Sequence, residues 1–197
     1  MSADDKTLAI YGAQAQAYAD LTDDLEGDKH LVKFIAAMPD GARVLDLGCG
    51  PGRAAGQMGA AGLDVDAMDA VPEMVTMAAA HPGVTAWQGT FDDITGDTIY
   101  DGIWANFSLL HAPRAAMPRH LAALRHALKP GGLFHIGVKT GTGEARDNLG
   151  RLYTYYTEAE LRGLLTAAEF TPQGSWTGRD TGLSGEPADW IVIHSHG

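Results

Sequence analysis

The sequence predicts an α/β fold, a three-layer α/β/α sandwich around a mostly parallel sheet, and three observations carry that prediction. Short apolar runs alternate with helical segments along most of the chain, an order that builds parallel sheets with helices on both faces. The run Val44 to Leu47 feeds straight into a glycine-rich turn and then a helix, which puts a ligand site at the carboxyl end of a strand. The last two apolar runs follow a helix with no helix between them. That order places one antiparallel strand in a hairpin at the sheet edge.

The elements follow in order. Thr7 to Leu21 reads as an Ala-rich helix carrying Tyr11 and Tyr18, and Lys29 to Met38 as a second helix that stops at Pro39-Asp40-Gly41. Arg43 to Leu47 is the first strand, and Ala54 to Ala61 the helix after the glycine turn. Leu63 to Met68 is the second strand, and Pro72 suits the first turn of a helix running to Ala80. Val84 to Gln88 and Asp101 to Ala105 are the third and fourth strands. A helix from Pro118 to Leu128 is stopped by Lys129-Pro130-Gly131-Gly132, and Leu133 to Val138 is the fifth strand. Lys139 to Tyr156 is a connection longer than most in compact domains. Thr157-Glu158-Ala159-Glu160 opens the last helix as a capping box, and strands near Gly174 to Thr177 and Asp189 to His194 close the fold. The expected organisation is one domain over 1–197, with 1–39 as an N-terminal helical cap and 139–156 as a substrate lid.

Composition narrows the function. The chain has 197 residues, 45% hydrophobic and 20% charged, enough to bury a core without disulfides or metals. Its formal net charge is −11, which argues against nucleic acid as a partner, because phosphate binding needs a basic face. It argues against an anionic membrane surface too. No apolar run approaches the roughly 20 residues that span a bilayer. The polar, acidic start, Met1 to Lys6, does not read as a secretory signal, and Cys49 is the single cysteine, so a cytoplasmic protein is expected. No histidine cluster marks a metal site. A monomer or a homodimer is expected.

The segment Asp46-Leu47-Gly48-Cys49-Gly50-Pro51-Gly52-Arg53 carries most of the functional information. Glycine allows positive φ and removes the Cβ that blocks a ligand. The helix that follows presents free N–H groups. Asp46 is placed to hold an ammonium group, directly or through water. A tight turn with no ligand is the bland alternative. A dinucleotide turn is the rival, but it needs G-x-G-x-x-G, and Arg53 stands where its last glycine belongs. Asp69, followed by Ala70, comes directly after the second strand, where a carboxylate accepts from both hydroxyls of a ribose. Met74 is placed either to pack on an adenine or to serve the helix core. At the third strand end, Phe91 and Asp92 offer an apolar slot and an acceptor, with the Thr90 or Phe91 backbone as the alternative.

Together these residues resemble the class I S-adenosylmethionine-dependent methyltransferases of the small-molecule type. Asp46, Gly48, Gly50 and Gly52 match the first motif, with Cys49 inside it, and Asp69 matches the ribose-binding acid. Tyr100 to Asn106 is similar to the family's fourth strand, and Leu128-Lys129-Pro130-Gly131-Gly132 to the turn before its fifth. The resemblance covers roughly Asp40 to His194. It implies a Rossmann-like, seven-stranded sheet with the seventh strand antiparallel. It also implies N-terminal helices over the cofactor, with Tyr11 and Tyr18 contributing. Two departures stand out. Thr90 replaces the acid that many relatives carry, and Asn106-Phe107-Ser108-Leu109 replaces the D/N-P-P-Y tetrad of the branch that methylates bases and glutamine.

Methyl transfer is an in-line displacement governed by proximity and orientation. A base is needed only for a protonated nucleophile. Asn106 and His111, at the end of the fourth strand, are the catalytic candidates: Asn106 to orient the cofactor's amino group or the substrate, His111 as the base or as a structural residue of its loop. The long connection brings Lys139, Arg146, Arg151, Tyr153, Tyr155 and Tyr156 together as a lid for a polar or anionic small molecule. Internal pairing with Glu144, Asp147 and Glu158 is the alternative use of its cations. The expected activity is transfer of a methyl group from S-adenosylmethionine, leaving S-adenosylhomocysteine. Methylation of protein or RNA, or cofactor sensing without turnover, are the competing functions.

Overall fold

In the computed structural model, which describes residues 4–21 and 28–197, the alternating pattern resolves into one seven-stranded sheet of order β3-β2-β1-β4-β5-β9-β8. The chain enters through helices α1 (Asp5–Ala13), α2 (Ala15–Leu21) and α3 (Lys29–Ala36). Strand β1 (Arg43–Leu47), helix α4 (Arg53–Ala60), strand β2 (Asp64–Asp69), helix α5 (Pro72–Ala78) and strand β3 (Val84–Gln88) form one half of the sheet. Strand β4 (Tyr100–Asn106), helix α6 (Met117–Ala127) and strand β5 (Leu128–Lys139) start the other half. Then come β6 (Glu144–Arg146), β7 (Leu152–Thr154), α7 (Glu158–Ala167), β8 (Thr171–Thr181) and β9 (Pro187–His196). Strand β9 is antiparallel to both β5 and β8, and the β1–β5 pairs are all parallel. This is the Rossmann-like arrangement read from the sequence. No described helix is long and apolar enough to cross a membrane.

Local chemistry explains the helix starts. Asp4 caps α1, its Oδ1 accepting from the Thr7 N–H at 2.9 Å, worth about 1 kcal/mol. Asp28 caps α3 in the same way, and Thr157 caps α7. Pro72 sits in the first turn of α5, where its missing N–H costs nothing. Side chains then sort by face. Leu47, Met68, Ile103 and Ile136 bury against Leu121, Leu124, Leu161 and Leu165 of α6 and α7. Val44, Val65, Ala67 and Trp104 bury against Phe34, Ala55 and Met58 of α3 and α4. Each fully buried large side chain contributes about 1.5–3 kcal/mol, so the sheet is a rigid base for the loops at its carboxyl edge.

Three expectations are corrected. The helix expected over Thr7 to Leu21 breaks at Gln14 (φ −117°, ψ 20°) into α1 and α2, bringing the rings of Tyr11 and Tyr18 edge to face at 5.4 Å. Strand β5 begins at Leu128, before the Pro-Gly-Gly segment, because Leu128 already pairs with Tyr100 and the Gly131 N–H donates to the Gly197 carbonyl. The long connection at 139–156 is not loop throughout: β6 and β7 pair as a two-stranded hairpin, with Ala145 opposite Tyr153. The parts of the expected helical cap at 1–3 and 22–27 lie outside the described residues.

Candidate functional site

The carboxyl ends of β1, β2, β3 and β4 open into a cleft with about 770 Å³ of atom-free space, part of it open to solvent. That is the size range of small-molecule sites. Its floor is the turn after β1. Gly48, Gly50 and Gly52 all have positive φ, at 70°, 53° and 82°, but each serves a different end. A Cβ on Gly48 would overlap the Ser108 side chain. One on Gly50 would only touch Tyr18, at 3.4 Å. One on Gly52 would lie 2.5 Å from the Ala78 Cα, so this glycine lets α4 pack on α5 and does not line the cleft. The turn is pinned from beneath, since the Gly48 and Cys49 N–H groups both donate to the Met68 carbonyl, at 2.7 and 3.0 Å.

The two acids behind the turn have different surroundings. Asp69 lines the cleft and accepts from the Gly50 N–H and the Val71 N–H, each at 2.9 Å. Burial raises its carboxyl above the ordinary range, and the backbone N–H groups pull it back. Asp46 is fully enclosed, accepts from the Ala55 N–H at 3.1 Å and does not line the cleft. Burial pushes its pKa up to about 7. Cys49 is buried beside both acids and its thiol is pushed up by burial, which leaves it unreactive.

The cleft is completed by Leu8, Tyr11, Tyr18, Ala70, Val71, Met74, Thr90, Phe91 and Asn106. Apolar walls thus gather at the β2–β3 end. Thr90 spends its N–H and hydroxyl on Asp93, and Asp92 pairs with Arg119 at 2.6 Å, outside the cleft. Of the cofactor candidates, then, Asp46, Cys49, Gly52 and Asp92 stand behind or beside the cleft, and the rest line it. Asp4, Thr7, Phe107 and Ser108 line it as well, although the sequence reading assigned them no role. One signal for Phe107 is backbone strain, φ +56° on a bulky residue, which clusters at functional sites. Ser108 is buried with no partner for its Oγ.

The roof is a polar network between α1 and the hairpin. His111 Nδ1 lies 2.6 Å from the Leu152 carbonyl, so that nitrogen carries the proton and donates. Its Nε2 therefore accepts from the Tyr11 hydroxyl, at 2.9 Å. Burial drives the His111 pKa down to about 4, keeping the ring neutral near pH 7. Arg151, 1% exposed, donates to the Tyr11 oxygen at 2.8 Å and pairs with Asp147 at 2.7 Å. Arg146 pairs with Asp4 at 2.7 Å and donates to the Gly150 carbonyl. Tyr153 and Tyr156 are buried, with Tyr156 under the Arg114 guanidinium. Tyr155 packs beside Gly141. The Lys139 ammonium stands 3.9 Å from the centre of the Tyr153 ring, and burial lowers its pKa. None of these six lid residues lines the cleft itself. Among the described residues, no group of three or more histidine, cysteine or acidic side chains is arranged to hold a metal ion.

Comparison with known proteins bears on this geometry. Residues 44–132, which hold the glycine turn, Asp69 and β4, match the family described as a methyltransferase domain. A ubiquinone biosynthesis O-methyltransferase of Xanthomonas axonopodis is 33% identical over 112 residues, 53% of this chain and 46% of that one. An uncharacterised methyltransferase of Synechocystis is 31% identical over 102 residues, 51% of this chain and 48% of that one. The chain spans about half the length of the curated relatives it matches. Among solved structures, the 1,6-didemethyltoxoflavin-N1-methyltransferase of Burkholderia thailandensis, holding 1,6-didemethyltoxoflavin and S-adenosylhomocysteine, superposes with a TM-score of 0.77 at 27% identity, covering 100% of this chain and 91% of that one.

Proposed function

We propose that this chain, which belongs to the class I S-adenosylmethionine-dependent methyltransferase superfamily, binds S-adenosylmethionine in the cleft and catalyses transfer of its methyl group to a small molecule. The observation that carries the reading is the pairing of Asp69 with the glycine turn: a half-buried carboxylate and a backbone stripped of Cβ atoms face one cavity. The residues present fit the group. Asp69 suits the ribose hydroxyls, since a charged acceptor makes the stronger hydrogen bonds. Phe91, Met74, Val71 and Leu8 suit an adenine. Gly48, Asn106 and Ser108, which line the cleft at the ends of β1 and β4, would hold the amino-acid tail. When bound, the cofactor supplies a methyl carbon activated by its sulfonium.

The chain's own residues hold, orient and exclude water. Tyr11 and Tyr18 close the cleft from α1 and α2. His111 is a neutral acceptor for the Tyr11 proton near pH 7, so Tyr11 and His111 form one unit on the acceptor wall, and Asn106 borders it. Lys139 stands behind the cleft wall with its ammonium on the Tyr153 ring face, and its charge acts through that wall to favour a polar or anionic acceptor. The relative named for ubiquinone biosynthesis and the neighbour holding 1,6-didemethyltoxoflavin support a small-molecule acceptor. A cytoplasmic location accords with the composition.

Isothermal titration with S-adenosylmethionine, S-adenosylhomocysteine and NAD tests the reading. The first two bind, and Asp69→Ala weakens both by about a hundredfold, as loss of two charge-assisted hydrogen bonds requires. Binding of NAD alone overturns it. Binding with no methyl transfer from labelled cofactor to any compound in a metabolite extract turns the assignment from enzyme to sensor.

A further inference from the structure

Behind the end of β4 runs a line of imidazoles. Asn106 is the last residue of β4, and its side-chain oxygen lies 3.0 Å from His135 Nε2 on β5. His135 Nδ1 lies 3.0 Å from His194 Nε2 on β9. His135 is wholly buried and stacks on Trp104, ring centres 3.5 Å apart and planes 17° from parallel. His194 is nearly buried, packed against His30 of α3 and Trp176 of β8. Gly137 makes room for the arrangement, since a Cβ there would lie 2.5 Å from the Asn106 oxygen. Burial lowers the pKa of both histidines, that of His194 to about 4.

Donor and acceptor rules set the protons along this line. A carboxamide oxygen only accepts, so His135 Nε2 carries a hydrogen and donates to it. A neutral imidazole has one N–H, so His135 Nδ1 accepts from the His194 Nε2–H. The chain of donors therefore runs from β9 to β5 to β4 and turns the Asn106 oxygen back into the sheet. Its NH2 group is left for the cleft.

We propose that His135 and His194 are positioning residues that hold Asn106 as a hydrogen-bond donor toward the cleft, where it binds the α-carboxylate of the cofactor. The sheet order supplies the choice of ligand group. Asp46 of β1 lies level with Trp104 of β4, which sets Asn106 beside the glycine turn. A nucleoside whose ribose sits on Asp69, at the end of β2, sends its amino-acid tail across β1 toward β4. Ser108, with its unpartnered buried hydroxyl against Gly48, stands at the same end. An NH2 group repels an ammonium and receives a carboxylate. The inference rests on the cofactor reading above for its ligand, but not for its proton arrangement.

The test has two arms. Nitrogen-15 correlation spectra of histidine-labelled, ligand-free protein read the tautomers directly: His135 and His194 are both Nε2–H, and a His135 Nδ1–H tautomer overturns the positioning role whatever binds. The second arm titrates S-adenosylhomocysteine, which has the amino-acid tail, and 5′-methylthioadenosine, which lacks it. His135→Phe keeps the stack on Trp104 but loses the donor, and weakens S-adenosylhomocysteine about tenfold while leaving 5′-methylthioadenosine unchanged. His135→Gln, which restores an N–H donor, recovers the affinity. Equal loss for both nucleosides, or loss for neither, overturns the proposal. Wild-type protein that binds neither overturns the cofactor reading and the assigned ligand group together, and the tautomer spectra still decide the arrangement of Asn106.

Discussion

The floor and the roof of the cleft are built by opposite means. The floor is backbone: Gly48, Gly50 and the Met68 carbonyl make a turn whose shape depends on missing side chains. It sits on strands buried on both faces. The roof is side chain: Tyr11, His111, Arg151 and Asp147 form a chain of polar contacts between α1 and the β6–β7 hairpin. A backbone site tolerates almost no substitution at its glycines but has few charges to lose. A side-chain site has buried charges whose partners must all be present. The difference teaches where binding and stability separate: a Cβ added to the floor acts on the ligand, a charge removed from the roof acts on the fold.

The largest effect is expected at the floor. Gly48→Ala puts a Cβ into Ser108 at a φ of +70°, costing about 3 kcal/mol or more in strain and overlap. Titration calorimetry reads this as loss of S-adenosylhomocysteine binding by a hundredfold or more, and retained affinity would mean that the turn does not touch the ligand. The roof breaks next. Arg151→Met takes the guanidinium from the largely enclosed Asp147 carboxylate, which keeps only the Leu149 and Arg151 N–H donors, at a cost of about 3 kcal/mol, and thermal unfolding shows a Tm lower by roughly 10 °C. Arg146→Ala, which opens only the more exposed pair with Asp4, leaves Tm within about 1 °C. Equal losses in the two variants would erase the distinction between buried and exposed halves of the roof.

The third effect sharpens the comparison through pH. Burial pushes the Asp46 carboxyl up to about 7, from about 3.8 in an unfolded chain. Well below pH 3.8 both states are protonated and the group contributes nothing. Between there and pH 7 the unfolded chain releases the proton while the native one keeps it, so stability falls as pH rises. Well above 7 the penalty is complete, about 4 kcal/mol. Asp46→Asn keeps the acceptor for the Ala55 N–H and removes the penalty. Its Tm gain over wild type is expected to be near zero at pH 4 and several degrees at pH 8. An equal gain at both pH values would mean the carboxyl is not strained by burial.

The sheet was legible because each strand is apolar over a short run and each turn carries its own punctuation, as at Pro39-Gly41 and Gly48-Gly52. The floor was legible for the same reason: Gly48, Gly50 and Asp69 lie within one stretch of chain, and spacing alone brings them together. The roof was not. Arg146 and Arg151 read either as cations for a ligand or as partners of nearby acids, and only the Arg151–Asp147 pair is such a local one; the contacts with Asp4 and Tyr11 join residues 142 and 140 positions apart, beyond any local pattern. Gly52 was misread in detail, since packing against Ala78 and ligand access both ask for a residue without Cβ. The imidazole line behind Asn106 was invisible because His135 and His194 meet only when β5 and β9 pair.

The long reach of the roof contacts also orders events in time. Residues 43–106 hold the whole glycine turn and its two acids, and their contacts are local enough to form while the chain is still short. The roof waits for a hairpin that leaves the ribosome more than 130 residues after α1. Contacts of such separation close late, because the chain entropy is lost before the contact repays it. The two sides of the cleft therefore form separately, the glycine floor from residues 43–106 and the roof only once the 144–154 hairpin has met α1.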